Sequence, residues 1–257
     1  MSAPTDKLAS HRSSSPLWEL VKVEGKLALR EPTGIIFGIG LPVFLLIVFG
    51  NIPVFRNTVA GTSLTTFEIY IPILMITALI MIALFGLPLP LARDREIGWL
   101  RRISTTPVSP TMLLAAQVTV NLILTAIAFV ILIAGSAVFG VNEPFEIPGF
   151  VISILLVTIA MMSLGVLIAA VASSQGIAAG IAQGLLYPLL FFAGIYIPPQ
   201  FLPGYLQTIS SFTPVGAAVK ALGESMQGAF PSAIWLLVMA AYSAFFSFVA
   251  IRYFRWE

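Results

Sequence analysis

Residues 147–219 contain no Asp, Glu, Lys or Arg. A soluble domain carries roughly a quarter of its residues charged, because its surface must face water. A stretch this long without charge therefore faces lipid. It also far exceeds the ~20 residues that cross a bilayer once, so the backbone must turn within it. Ser173-Ser174-Gln175-Gly176 supplies one turn, and Ile197-Pro198-Pro199-Gln200 with Pro203-Gly204 supplies another. The rest of the chain agrees, with 58% apolar and 9% charged residues and a mean hydropathy of +1.01.

Six stretches qualify as membrane spans: residues 33–49, 69–91, 111–139, 149–172, 176–197 and 232–251. Within lipid an isolated segment satisfies its own backbone only as a helix. The expected fold is an all-α membrane protein with six transmembrane helices in a domain covering 33–257. Residues 1–15 read as a polar, disordered cytoplasmic leader in which His11 is a solvated tail residue. The first long apolar run begins only near Thr33 and leads into further spans, which is unlike a cleaved signal. The chain has no cysteine, so disulfides and thiolate metal sites are excluded, and no metal site is expected.

Lysine and arginine set the orientation. With the N-terminus in the cytoplasm, 11 of the 13 basic residues lie inside and only Arg56 and Lys220 lie outside. Both termini are then cytoplasmic in a multi-pass protein of the cell membrane. A seventh crossing within 198–231 would carry Arg252 and Arg255 to the outside. That segment is expected to dip into the outer leaflet and return.

Residues 16–32 read as an interfacial helix. Ser15 can cap it, and Pro16 suits the first helical position. Lys22, Lys26 and Arg30 form a basic stripe, with Trp18, Leu17, Leu20, Val21 and Leu27 supplying apolar surface. Such a helix lies in the bilayer interface and offers its charges to lipid phosphates or to a partner. A plain topology anchor is the alternative.

Residues 92–109 hold the densest charge in the chain: Arg93, Asp94, Arg95, Glu96, Arg101 and Arg102, with Gly98, Trp99 and Leu100 among them. Arg93 and Glu96 are spaced to pair on a helix, and Ile97, Leu100 and Ile103 make a narrow apolar edge. Two readings stand here: a short helix that docks a cytoplasmic protein, and a solvated loop whose arginines only enforce topology.

Within the spans, Gln117, Asn121, Thr125 and Gln183 either line a pathway or bond between helices. Gly176, Gly180 and Gly184 form a ladder along span five, and Gly34 and Gly38 a shorter one in span one. Glycine at this spacing lets helices approach closely, either at a seam with a second subunit or, the reading favoured here, in packing within one chain.

The charged loop resembles that of ABC-2-type transporter permeases, the membrane subunits of bacterial drug- and antibiotic-exporting systems. Glu96, Gly98, Leu100, Arg101, Arg102 and Thr106-Pro107-Val108-Ser109 match the family pattern in order. Arg30-Glu31-Pro32 with Leu41-Pro42 is similar to its entry into span one. Phe192 to Pro198, Leu202-Pro203 and Phe212-Thr213-Pro214 are similar to its segment between spans five and six. The resemblance implies half of an exporter that moves a hydrophobic or amphipathic compound outward. It implies two copies of a separate ATPase binding ATP and Mg, a second permease subunit that is identical or homologous, and no nucleic acid. It also implies a coupling helix between spans two and three, received by the ATPase, and re-entrant helices at an outer gate that includes Tyr196, Pro198, Pro199, Phe201 and Pro203.

The residues argue separately against ATP hydrolysis in this chain. A phosphate-binding loop needs Gly-x-x-x-x-Gly-Lys-Ser/Thr. The one Gly-Lys pair, Gly25-Lys26, has Leu20 in place of the first glycine and is followed by Leu27. No cofactor is expected in the chain itself. Two rivals remain. An ion-coupled carrier would usually hold buried charges in its spans, and these spans hold none in their cores. A membrane enzyme or assembly factor would need acidic residues gathered at one face, and Glu68, Glu143, Glu146 and Glu224 are scattered in sequence.

The orientation predicts that cysteines introduced at Ser2, Thr105 and Glu257 react only with membrane-permeant reagents in intact cells. One at Asn142 should react from outside. Labelling of position 257 by an impermeant maleimide would overturn the count of crossings.

Overall fold

The computed structural model describes residues 16–30, 32–59, 63–98, 110–141 and 145–253. They are almost entirely helical, and the one β feature among them is an isolated bridge between Thr58 and Thr65. The helices are α1 (Pro16–Arg30), α2 (Pro32–Ile35), α3 (Leu41–Asn51), α4 (Thr66–Met81), α5 (Pro88–Glu96) and α6 (Pro110–Val138). They continue with α7 (Ile147–Val171), α8 (Gln175–Ala193), α9 (Gly204–Ser211), α10 (Pro214–Met226) and α11 (Ala233–Tyr253). Five are long and apolar enough to cross a membrane: Thr66–Glu96, Thr111–Val138, Ile147–Val171, Gln175–Ala193 and Ala233–Arg252. The first apolar helix, Ile36–Asn51, is shorter.

Two helices contain a π-helical turn, Ile36–Gly40 ahead of α3 and Ile82–Gly86 ahead of α5. Both have the same cause. A proline lacks the N–H that would bond four residues back, and its ring clashes with that carbonyl. Pro42 faces Gly38 in this way and Pro88 faces Leu84, and each carbonyl lies inside a π turn. The widened turn absorbs the clash and keeps the helix running.

In the most apolar 18-residue stretch of Thr66–Glu96, 83% of the residues are buried, and this span forms the centre of the bundle, whereas the corresponding share in Ala233–Arg252, at the edge, is 17%. It begins three residues earlier and ends five later than the apolar run suggests. Thr65 and Glu68 form a capping box, with Glu68 N–H donating to Thr65 Oγ1 at 3.3 Å and Thr65 N–H to Glu68 Oε2 at 2.6 Å. At the other end the helix continues through Arg93 and Arg95 to Glu96. Span five stops at Ala193 rather than 197, because Gly194 adopts φ +93° there. A Cβ at Gly194 would sit 2.6 Å from Pro199 Cδ, so both the conformation and the space require glycine.

α7 and α11 are joined by Ser163 Oγ to Ser247 Oγ at 2.8 Å and by Ser243 Oγ donating to the Leu156 carbonyl at 3.0 Å. α7 also crosses the π turn Ile82–Gly86 closely, since a Cβ on Gly165 would lie 2.5 Å from the Ala83 carbonyl oxygen. The glycines of α8 differ: a Cβ at Gly180 or Gly184 would meet nothing within 4 Å, and one at Gly176 only Ser174 Oγ at 4.0 Å. At these positions the favoured packing within one chain does not occur. In the shorter ladder Gly38 does pack internally, on Ile82, while Gly34 faces open space.

This contrast predicts opposite outcomes for one substitution. Gly165→Ala forces backbone apart at the centre of the bundle and should cost about 1–3 kcal/mol, read as a fall of several degrees in the thermal unfolding midpoint of the purified chain. Gly180→Ala places its methyl in open space and gains helix propensity, so it should raise that midpoint slightly.

Candidate functional site

The end of α5 brings two charged side chains against the break between α7 and α8. The last turn of a helix leaves carbonyls unpaired and the first turn of the next leaves N–H groups unpaired. Arg95 Nη1 donates to the carbonyls of Ala169 and Ala172, each at 2.9 Å, at the end of α7. Glu96 Oε2 accepts the Gln175 N–H at 2.9 Å, at the start of α8. Ser174 Oγ accepts the Ile177 N–H at 3.3 Å and completes the cap. A cation thus meets the negative end of one helix and an anion the positive end of the next. Two adjacent residues close both ends.

Arg93 and Asp94 lie on the same terminal turn. Trp99, Leu100, Arg101 and Arg102 lie outside the described residues. Sequence reasoning treated Arg95 and Glu96 as charges for a partner, and it missed that they also bind their own chain. A signal existed: oppositely charged neighbours end one helix, while Ser173-Ser174 opens a polar gap between two others.

The stretch expected to lie in the interface contains the helix α1. Val21 is buried against Ala116 and Val120 of α6, whereas Trp18 is 50% exposed, and Lys22 pairs with Glu19 at 3.0 Å. Lys26 and Arg30 lie further along the same helix.

Gln117, Asn121 and Thr125 are buried on one face of α6. Asn121 Nδ2 donates to the Gly86 carbonyl at 3.3 Å and to the Gln117 carbonyl at 2.8 Å. The first of these carbonyls would ordinarily be met by residue 90, which is a proline without an N–H. Asn121 thus repairs the π turn. The Gln117 amide is buried, and neither of its atoms carries a hydrogen bond. Gln183 lies on the exposed face of α8 and donates to Tyr187 Oη at 3.1 Å.

At the opposite end of the bundle, Tyr196 and Phe201 are exposed, Pro198 and Pro199 are buried, and Pro203 precedes α9. Ser210 Oγ bonds the Phe192 carbonyl at 2.8 Å and ties α9 to the end of α8. Glu146 N–H donates to the Ser225 carbonyl at 2.9 Å, so α10 ends beside the start of α7. Glu68 and Glu224, scattered in sequence, line a single cavity here. No group of three or more potential metal ligands occurs among the described residues.

Residues 16–227 match the family model for the ABC-2 type transporter. The chain belongs to the ABC-2 type transporter family. The permease is 30% identical over 201 residues to the protein of Pyropia yezoensis named as transport permease ycf38, covering 74% of this chain and 67% of that one. It is 23% identical over 227 residues to the daunorubicin resistance ABC transporter permease protein DrrB1 of Streptomyces coeruleorubidus, covering 84% and 77%. It is 25% identical over 173 residues to the inner membrane transport permease YhhJ of Escherichia coli, covering 63% and 45%. This is a multi-pass membrane transport permease.

The double cap makes a stability prediction for the permease. Arg95→Met leaves two helix-end carbonyls without their donor, and Glu96→Gln removes the anion from the start of α8. Each should cost about 1–3 kcal/mol and should raise amide hydrogen exchange at residues 172–178 without changing it in the core of α4.

Proposed function

We propose that this permease is one half of the membrane pathway of an ATP-driven exporter for a hydrophobic or amphipathic compound. ATP and Mg are bound and hydrolysed by two copies of a separate ATPase, and a second permease, identical or homologous, completes the pathway. The daunorubicin resistance named for one relative supports a drug-like cargo. The observation that carries the reading is the join of α5 to α7 and α8 through Arg95 and Glu96. The charged loop that follows is thereby attached to three spans at once, which suits a segment that receives force from a cytoplasmic ATPase.

In this reading Pro32–Ile35, the π turn and Leu41–Asn51 together make the first of six crossings, with both termini cytoplasmic. α9 and α10 are the re-entrant pair, α1 lies in the inner interface, and 93–102 form the coupling segment. The open glycine face of α8, with Gln183 and Tyr187 beside it, forms the seam with the second permease. Small residues that meet nothing in their own chain suit a close helix–helix contact.

Because Arg95 and Glu96 also hold the fold, Trp99 and the Arg101–Arg102 pair give the cleaner test. Trp99→Ala, and Arg101→Glu with Arg102→Glu, should weaken association with the cognate ATPase roughly thirtyfold or more, as expected for losing about 2 kcal/mol at a buried contact. Membrane insertion should survive. Wild-type ATPase co-purification and export in both variants would reduce the loop to a topology signal.

A further inference from the structure

The cavity at the Glu68 end has a volume of about 620 Å³, within the range of small-molecule sites. Ile69, Pro72, Ile73 and Val219 give it apolar walls. Among the described residues its charged lining is Glu68, Lys220 and Glu224, a net charge of −1. The lysine is held in an unusual way. Its Nζ lies 4.5 Å from the centroid of the Trp235 ring and donates to Ser211 Oγ. It sits four residues from Glu224 on α10, so both share one helix face.

Glu224 in turn accepts Trp235 Nε1–H at 2.9 Å and Ser232 N–H at 2.7 Å, which fixes the ring and the start of α11. Glu68 Oε2 accepts from Thr65 N–H and Thr65 Oγ1, which leaves Oε1 without a hydrogen bond among the described residues. Burial pushes the Lys220 ammonium down from the ordinary lysine value, with the charge of Glu224 acting the other way.

We propose that this cavity binds an amphipathic organic cation, and that Lys220 is a tethered cation occupying the ligand's charge position until the ligand arrives. A ring face and a carboxylate are what an organic ammonium or phosphonium seeks, and here an internal lysine already fills that place. A bound ligand displaces the Lys220 head from Trp235. Return of the head to the ring expels the ligand, which gives release without a change in the walls. Calling this release, rather than entry, rests on the exporter reading and on the orientation that puts this end outside. The binding itself does not.

The test uses the full chain in lipid nanodiscs without any ATPase. The probe is tetraphenylphosphonium, whose charge is permanent, with triphenylphosphine oxide as an uncharged comparison. Lys220→Met keeps the stem and removes the competing charge, so it should tighten tetraphenylphosphonium binding about tenfold. Glu68→Gln should weaken that binding severalfold, and it keeps the capping box because glutamine also serves there. Neither change should move the affinity for triphenylphosphine oxide. The proposal is overturned if wild type does not bind tetraphenylphosphonium, if Lys220→Met leaves binding equal or weaker, or if the neutral compound follows the same pattern. Should Lys220→Met unfold the chain, Glu68→Gln alone decides, because it lies on α4 and unchanged affinity there removes the carboxylate from the site. Loss of ATPase association in the Trp99 variant bears on the exporter reading and leaves these binding results unaffected.

Discussion

Every backbone N–H and carbonyl that a bilayer surrounds must find its partner within the protein, and this constraint decides where the permease spends its few polar side chains. A continuous helix meets the demand by itself. Each interruption creates a debt at a known place, and a particular side chain answers it. Asn121 supplies the donor that Pro90 withholds from Gly86. Arg95 reaches the carbonyls at the end of α7, Glu96 the N–H at the start of α8, and Glu224 the N–H ahead of α11. A chain with 9% charged residues places several of them at helix ends, where a charge interacts most strongly with backbone dipoles.

The fold was legible where it follows from hydropathy. The helix positions, the turn at Ser173-Ser174 and the family resemblance all came from local runs of residues. Boundaries shifted where a cap outweighed composition. Thr65 and Glu68 start the second span ahead of its apolar run, and Gly194 ends the fifth before Ile197. The site was less legible, because its contacts join distant segments. Nothing local tells that Arg95 meets residue 172, or that Glu68 and Glu224 share one cavity with Lys220. The ladder of α8 was misjudged for a related reason: glycine spacing shows that a close approach is allowed, but only the neighbours show whether one occurs. Gly165, without any ladder, makes the tighter contact.

The two ends of the bundle carry different chemistry. At the Glu96 end both Arg95 and Glu96 bind helix termini directly, whereas at the Glu68 end the carboxylates of Glu68 and Glu224 do so and the cation does not. At the Glu68 end the lysine rests on an aromatic face and a hydroxyl. Contacts of that kind are weaker and less directional than a charge-assisted bond to a carbonyl. In the proposed exporter such a difference suits a cycle in which one end holds its geometry while force arrives and the other exchanges partners.

Contacts run without a gap between the two ends. The charged loop leaves α5 at Glu96, which holds the first residue of α8. α8 then runs past its open glycine face to Gly194, whose left-handed turn seats Pro199 at the cavity. Coupling between distant sites requires an element with two arrangements that both sites bias. α8 meets the geometric part of that requirement, because both of its ends are gripped while one long face is free of its own chain. A tilt of this helix would move the cap at one end and the Pro199 wall of the cavity at the other. Between them a Cβ at Gly180 or Gly184 would meet nothing within 4 Å among the described residues of the same chain. A closely packed span such as α4 lacks that freedom.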